Sequence, residues 1–141
     1  MATTARITWV QDALFVGESG SGHTITMDGS PDDGGRDLAA RPMEMVLLGM
    51  GGCTAIDVAS MLRKQRQDVR DIIVELEAER ADDFPKVFTS VKLIYRVRGK
   101  KLNRALVERA VSLSDEKYCS ATAMIRKSAA VTHQIVLEDV D

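Results

Sequence analysis

The sequence predicts an α+β fold with a mainly antiparallel sheet. Three observations carry that expectation: hairpin-spaced strands near the start, one long apolar helix in the middle, and two short helices set between the later strands and a closing strand. The 141 residues fit a single domain spanning 1–141 that is long enough to bury a core.

Arg6 to Glu18, "RITWVQDALFVGE", alternates apolar and polar residues on either side of Gln11-Asp12 and reads as a β-hairpin. "SGSGH" at 19–23 is a turn, and "HTITMDG" continues as a third strand ending at Asp28-Gly29. The polar stretch 30–37, "SPDDGGRD", has no periodicity and is the best candidate for a mobile segment. Pro42 suits the first turn of a helix, where its missing N–H is not needed. From Met43 to about Gln65 the pattern is helical, with Glu44 and Asp57 as the charges within "MEMVLLGMGGCTAIDVASML". A helix apolar nearly all round is buried on most sides, either by a sheet or by a partner chain.

Asp71 to Glu77 is a strand, "RADDFPK" a turn, and Val87 to Val97 a long alternating strand closed by "RGKK". Residues 102–114 carry apolar side chains at Leu102, Ala105, Leu106, Val111 and Leu113, the stripe of an amphipathic helix. "DEKYCS" interrupts it, 121–131 resumes as a short helix, and "THQIVLEDV" closes the chain as a strand.

Composition narrows the function classes. A net charge of −2, with 19 basic and 21 acidic residues interspersed, offers no electrostatic footprint for nucleic acid or an anionic membrane. No run of about 18 apolar residues suggests a membrane span. "MATTARITWV" lacks the basic, apolar and small-residue order of a signal peptide, so the expected location is cytoplasmic.

The two cysteines, Cys53 and Cys119, are not a disulfide framework in a reducing compartment. With His23 and His133 they show none of the short paired spacings of structural zinc sites, so neither metal nor other cofactor is expected. His23 reads as a turn residue and His133 as an exposed strand residue. Met43, Met45, Met50, Met61 and Met124 fill a core or dimer seam, or form an adaptable pocket near Cys53.

Either cysteine fits plain packing, because free cysteine is often buried. Two details favour chemistry. Gly49, Gly51 and Gly52 weaken the helix beside Cys53 by about 1 kcal/mol each, which calls for close approach of another backbone or a ligand. Cys119 opens a short helix, where unpaired N–H groups favour thiolate, with Lys117 and Arg126 nearby in sequence. A close pair of thiols supports peroxide reduction: one becomes sulfenic acid and the other condenses with it to a disulfide.

"PMEMVLLGMGGCTAIDV", followed 66 residues after Cys53 by "EKYCS", resembles the OsmC/Ohr superfamily, most nearly its YhfA-like branch. "WV…LFVGESGSGH" and "HTITMDG" extend the likeness over nearly the whole chain. The resemblance implies an OsmC-like fold, an intertwined homodimer in which antiparallel sheets wrap around long central helices. It also implies a thiol-dependent peroxidase acting on organic hydroperoxides, with Cys53 peroxidatic and Cys119 resolving, regenerated by a dithiol or a lipoylated protein.

Characterised peroxidases of the superfamily also use an arginine from the N-terminal hairpin region and a glutamate directly after the helix-starting proline. Here Met43 follows Pro42 and the acid is Glu44, one place later. The hairpin tip carries Gln11 and Asp12, and the nearby arginines are Arg36 and Arg41. At about 100° per residue, Glu44 lies half a turn from Cys53 on an unbroken helix. It would then act through a distortion at Gly49–Gly52 or across the dimer. Asp57 either faces the thiol and raises its pKa or pairs with a base such as Arg63. The alternative function is a non-catalytic OsmC-fold dimer that binds a small apolar or electrophilic ligand.

Overall fold

The structure is a computed structural model and describes residues 2–141. The chain divides into two compact units, one ending at Leu47 and the other running from Leu48 to Asp141.

In the first unit, β1 (Ala5–Gln11), β2 (Leu14–Ser19) and β3 (Thr24–Met27) form an antiparallel sheet in chain order. The expected hairpin closes at Asp12-Ala13, with Gln11 opposite Leu14. Asp12 adopts a left-handed φ of 52°, which aspartate tolerates better than bulkier residues. The Trp9 indole N–H donates to the Asp12 carbonyl at 2.8 Å.

The polar segment expected to be mobile is pinned at its root. Asp28 is buried, and its carboxylate accepts from the N–H groups of Gly29 at 2.7 Å, Arg36 at 3.2 Å and Leu38 at 3.1 Å. Within the loop, a single 3-10 turn spans Pro31–Asp33. Ala40 pairs with Met27 before α1 begins.

α1 (Pro42–Lys64) starts at the proline and runs without a break through Gly49–Gly52. It buries Met50, Thr54, Val58 and Leu62, a stripe at every fourth residue, together with Gly51. By length and composition it is apolar enough to cross a bilayer, but this buried stripe marks it as a core helix.

The second unit holds a second sheet, β4 (Asp68–Arg80), β5 (Phe88–Lys100) and β6 (Ala130–Asp139), in the order β4-β5-β6. β4 extends beyond the expected 71–77 at both ends, β5 runs three residues past Val97, and β6 begins two residues before Thr132. β5 is central, and its alternate residues Val91, Leu93, Tyr95 and Val97 are buried.

One strand pair departs from the antiparallel expectation. β6 runs parallel to β5, from Ser90 opposite Ala130 to Gly99 opposite Asp139. α2 (Arg104–Leu113) and α3 (Ser120–Ile125) lie in the crossover that a parallel pair requires. The later helix is shorter than the expected 121–131: it ends at Ile125, a turn follows, and β6 begins at Ala130. Asn103 caps α2, accepting from the Leu106 N–H at 3.3 Å, and the helix buries Val107, Ala110 and Val111.

The three N–H donors hold Asp28 below its ordinary pKa of 3.8, with the Leu38 N–H the largest cause and burial opposing it. A lowered native pKa means that its stabilisation is present above the unfolded value and is lost as pH falls through the lowered native one. Asp28→Ala is expected to lower the hydrogen-exchange protection factors of residues 29–38 at neutral pH, and acidification through that range to lower them in the unaltered protein, each rate being taken relative to the intrinsic rate at the same pH.

Candidate active site

Cys53 sits half-buried in the middle of α1. Cys119 is buried and occupies the N-cap of α3. Both are free thiols, and Cys53 stands near enough to Cys119 to help raise its pKa. Residues far apart in sequence are thus brought together by the stacking of α1 against the α2–α3 connection.

That connection is specific. α2 does not pass directly into α3. Ser114–Tyr118 form a single π turn, closed by the Cys119 N–H donating to the Ser114 carbonyl at 2.8 Å. A five-residue turn of this kind shifts the following residue off the α-helical spiral. Cys119 then adopts an extended backbone, with φ −77° and ψ 100°. Its sulfur accepts from the Thr122 hydroxyl at 3.1 Å and the Thr122 N–H at 3.4 Å.

Cys119 opens its helix as expected, but the helix end does not make it a thiolate. Burial is the largest effect and pushes its pKa above the ordinary 9.0, the two Thr122 hydrogen bonds oppose that shift, and the neighbouring Cys53 adds to it. The cations nearby in sequence are engaged elsewhere. Arg126 pairs with Asp115 at 2.6 Å, and the Lys117 ammonium stands 5.2 Å from the centre of the Tyr118 ring.

A chain of polar side chains runs from buried Tyr95 to half-buried Asp57. The Ser114 hydroxyl donates to Asp57 Oδ2 at 2.9 Å. With its one hydrogen used, Ser114 must accept from Thr54, 2.7 Å away. Thr54 in turn must accept from the Tyr95 hydroxyl at 2.8 Å. Every hydrogen therefore points toward the Asp57 carboxylate, and Tyr95 must keep its proton for the chain to hold. Its pKa is pushed up to about 12, chiefly by burial, with the Thr54 bond opposing and the charges of Asp115, Cys119 and Asp57 adding to the rise.

Asp57 is therefore paired with Ser114, not with Arg63. Thr54, Tyr95, Ser114 and Thr122 were not singled out from the sequence. The available signal was partial: Thr54 and Asp57 follow Cys53 on one side of the helix, and Tyr95 falls in phase with the apolar residues of β5.

Glu44 has a local task. Its Oε1 accepts from the Arg41 N–H at 2.8 Å, the third helical residue reaching back to the residue before the helix, as in a capping box. Arg36 stands 3.8 Å from Asp12, and Arg41 stands 3.9 Å from Asp37. His23 bonds Ser21 in its exposed turn at 3.1 Å. His133 is exposed and meets the Tyr95 ring edge-on, with centroids 6.3 Å apart. Among the described residues, no cluster of His, Cys, Asp and Glu could hold a metal ion.

A cavity of about 440 Å³ opens between α1 and α2. Asp57 lies in its wall, Met61, Leu106, Leu113 and Tyr118 give it an apolar lining, and Lys64 and Arg109 bring positive charge.

An α+β fold of two sheets, with a cysteine on a long core helix and a second at the head of a short one, defines the class. The chain belongs to the OsmC-like protein family, which residues 33–134 match. It is 50% identical over 129 residues to Protein YhfA of Escherichia coli (strain K12), covering 92% of this chain and 93% of that one. The crystal structure of a hypothetical protein from Aquifex aeolicus VF5 superposes with a TM-score of 0.82 at 29% identity, covering 99% of each chain. An organic hydroperoxide resistance protein OsmC from Legionella pneumophila shares the fold, with a TM-score of 0.69 at 18% identity, over 96% of this chain and 97% of that one.

Because burial dominates at Cys119, its alkylation by iodoacetamide in Cys53→Ser protein is expected to rise only at pH above the ordinary thiol range. A rate–pH profile shows this directly, and a midpoint below the ordinary value would contradict it.

Proposed function

We propose that this protein is a cytoplasmic, homodimeric, thiol-dependent peroxidase that reduces organic hydroperoxides in the response to oxidative stress. The observation that carries the proposal is a pair of neighbouring free thiols, one half-buried on the core helix and one buried at the head of α3. The Cys53 thiolate attacks the peroxide oxygen, breaking the O–O bond to give Cys53 sulfenic acid and an alkoxide that leaves as the alcohol after taking up a proton. The Cys119 thiol then condenses with the sulfenic acid to form a disulfide and water. A dithiol or a lipoylated protein returns both cysteines to thiols. No metal or other cofactor enters these steps. Glu44 stays in the proposal as a carboxylate acting across the dimer; Glu44→Gln tests it, since the amide oxygen still caps Arg41 while the charge is gone.

Cys53→Ser is expected to abolish consumption of cumene hydroperoxide in the presence of a dithiol. Cys119→Ser is expected to accumulate a sulfenic acid that dimedone traps on Cys53. Unaltered protein that consumes no organic hydroperoxide with any dithiol would sink the proposal.

Support for the dimer comes from the outward side of α1, where Leu48 is 61% and Ile56 71% exposed, beside Gly49 and Gly52, whose missing side chains face open space. Gly52→Leu is expected to shift the sedimenting species from dimer toward monomer. A monomeric unaltered protein would remove this part of the proposal.

The cavity between α1 and α2 favours one other function, a non-catalytic dimer that takes up a small apolar or electrophilic ligand. Retained ligand binding with no peroxide turnover would distinguish it.

A further inference from the structure

We propose that Asp57 is a positioning residue for the thiol pair: through Ser114 it sets the π turn that delivers the Cys119 sulfur to Cys53. Asp57 lies one turn beyond Cys53 on the same helix. Its Oδ2 accepts the only hydrogen of the Ser114 hydroxyl, at 2.9 Å. Ser114 is the first residue of the π turn, and its carbonyl accepts from the Cys119 N–H at 2.8 Å. One residue thus joins the helix of the first thiol to the backbone of the second.

The join is stiffened on both sides. Thr54, adjacent to Cys53, donates to the same Ser114 oxygen at 2.7 Å, and Arg126 of the following segment grips Asp115 at 2.6 Å. Thr54 and Ser114 are fully buried, so no water competes for the bond between them. A half-buried acceptor that fixes the direction of every hydroxyl in a chain leaves it one arrangement rather than two. The spacing of the thiols is therefore held by a charge-assisted hydrogen bond rather than by packing alone.

Disulfide formation needs that spacing. In the resolving step, one S–O and one S–H bond break, an S–S bond forms, and the departing hydroxyl takes the Cys119 proton as water. That step rests on the peroxidase proposal. Closing the same disulfide by thiol exchange does not: oxidised dithiothreitol takes up the two electrons and the two thiol protons and becomes the dithiol.

The test is therefore an exchange equilibrium without peroxide. Full-length protein is equilibrated with mixtures of reduced and oxidised dithiothreitol, and the Cys53–Cys119 disulfide is read by mass spectrometry after alkylation. Asp57→Ala and Ser114→Ala are expected to lower the exchange constant about tenfold, the scale of one hydrogen bond to a charged group. Asp57→Asn keeps an acceptor oxygen and is expected to recover most of the loss. A bond that only stabilised the fold would weaken reduced and oxidised protein alike and leave the constant unchanged. Thermal unfolding of each variant confirms that it is folded, and Ser114→Ala with Asp57→Asn suffices should Asp57→Ala not fold. An unchanged constant in folded Ser114→Ala protein overturns the proposal, as does failure of Asp57→Asn to recover. Unaltered protein that forms the disulfide by exchange but consumes no hydroperoxide defeats the peroxidase proposal and leaves this one standing.

Discussion

Three polar side chains, Tyr95, Thr54 and Ser114, meet in the interior of the second unit and depend on one another and on the half-buried Asp57 at the end of their chain. A buried hydroxyl without a partner costs on the order of 1–3 kcal/mol, and three such groups in a row would consume much of a small domain's stability. They are tolerated because each finds its neighbour at 2.7–2.9 Å, and no buried side-chain polar atom among the described residues lacks a partner. The members come from α1, from the central strand β5 and from the π turn after α2. The chain closes only when all three elements stand in register, so the constraint that removes the burial penalty also builds the ground on which the two thiols meet.

In the proposed mechanism, the same dry surroundings divide the labour between the cysteines. Desolvation raises the pKa of both Cys119 and Tyr95, because a low-dielectric interior disfavours each charged form. A resolving thiol gains from this, since a neutral sulfur beside the first cysteine does not repel the thiolate that must form there. Thr122 holds the Cys119 sulfur by two donated hydrogen bonds, which aim it without stripping its proton. Burial, usually the sign of an inert cysteine, here accompanies a sulfur fixed by two hydrogen bonds in the neighbourhood of a second thiol.

Much of the fold was legible because it follows from periodicity. The unbroken apolar run after Pro42 marked α1 to within a residue at either end, and alternation along 87–97 marked the central strand. The pairing of Cys53 with Cys119 came from the resemblance to a family, not from spacing. What escaped was set by tertiary partners. The acid at Asp57 has several arginines within reach along the chain, and nothing local selects a serine 57 residues away. The π turn likewise has no signature in "SDEKYC". The parallel pairing of β6 depends on where α3 stops, and that stop is fixed by Ala129 and Ala130 joining the core and the sheet, not by a proline or glycine.

The glycines ahead of Cys53 divide in the same way. A side chain at Gly51 would bring its Cβ to 2.7 Å from Leu76 Cδ1, so the bare backbone there lets β4 lie close to the helix. Gly49 and Gly52 have no such neighbour within the chain, yet each weakens the helix by about 1 kcal/mol relative to alanine. They share the outward side of α1 with exposed Leu48 and Ile56. A helix that gives up stability at two open positions, and leaves two large apolar side chains beside them in water, recovers both losses if a second backbone seats against that strip. The homodimer proposed above supplies one, and it places the contact within one turn of Cys53.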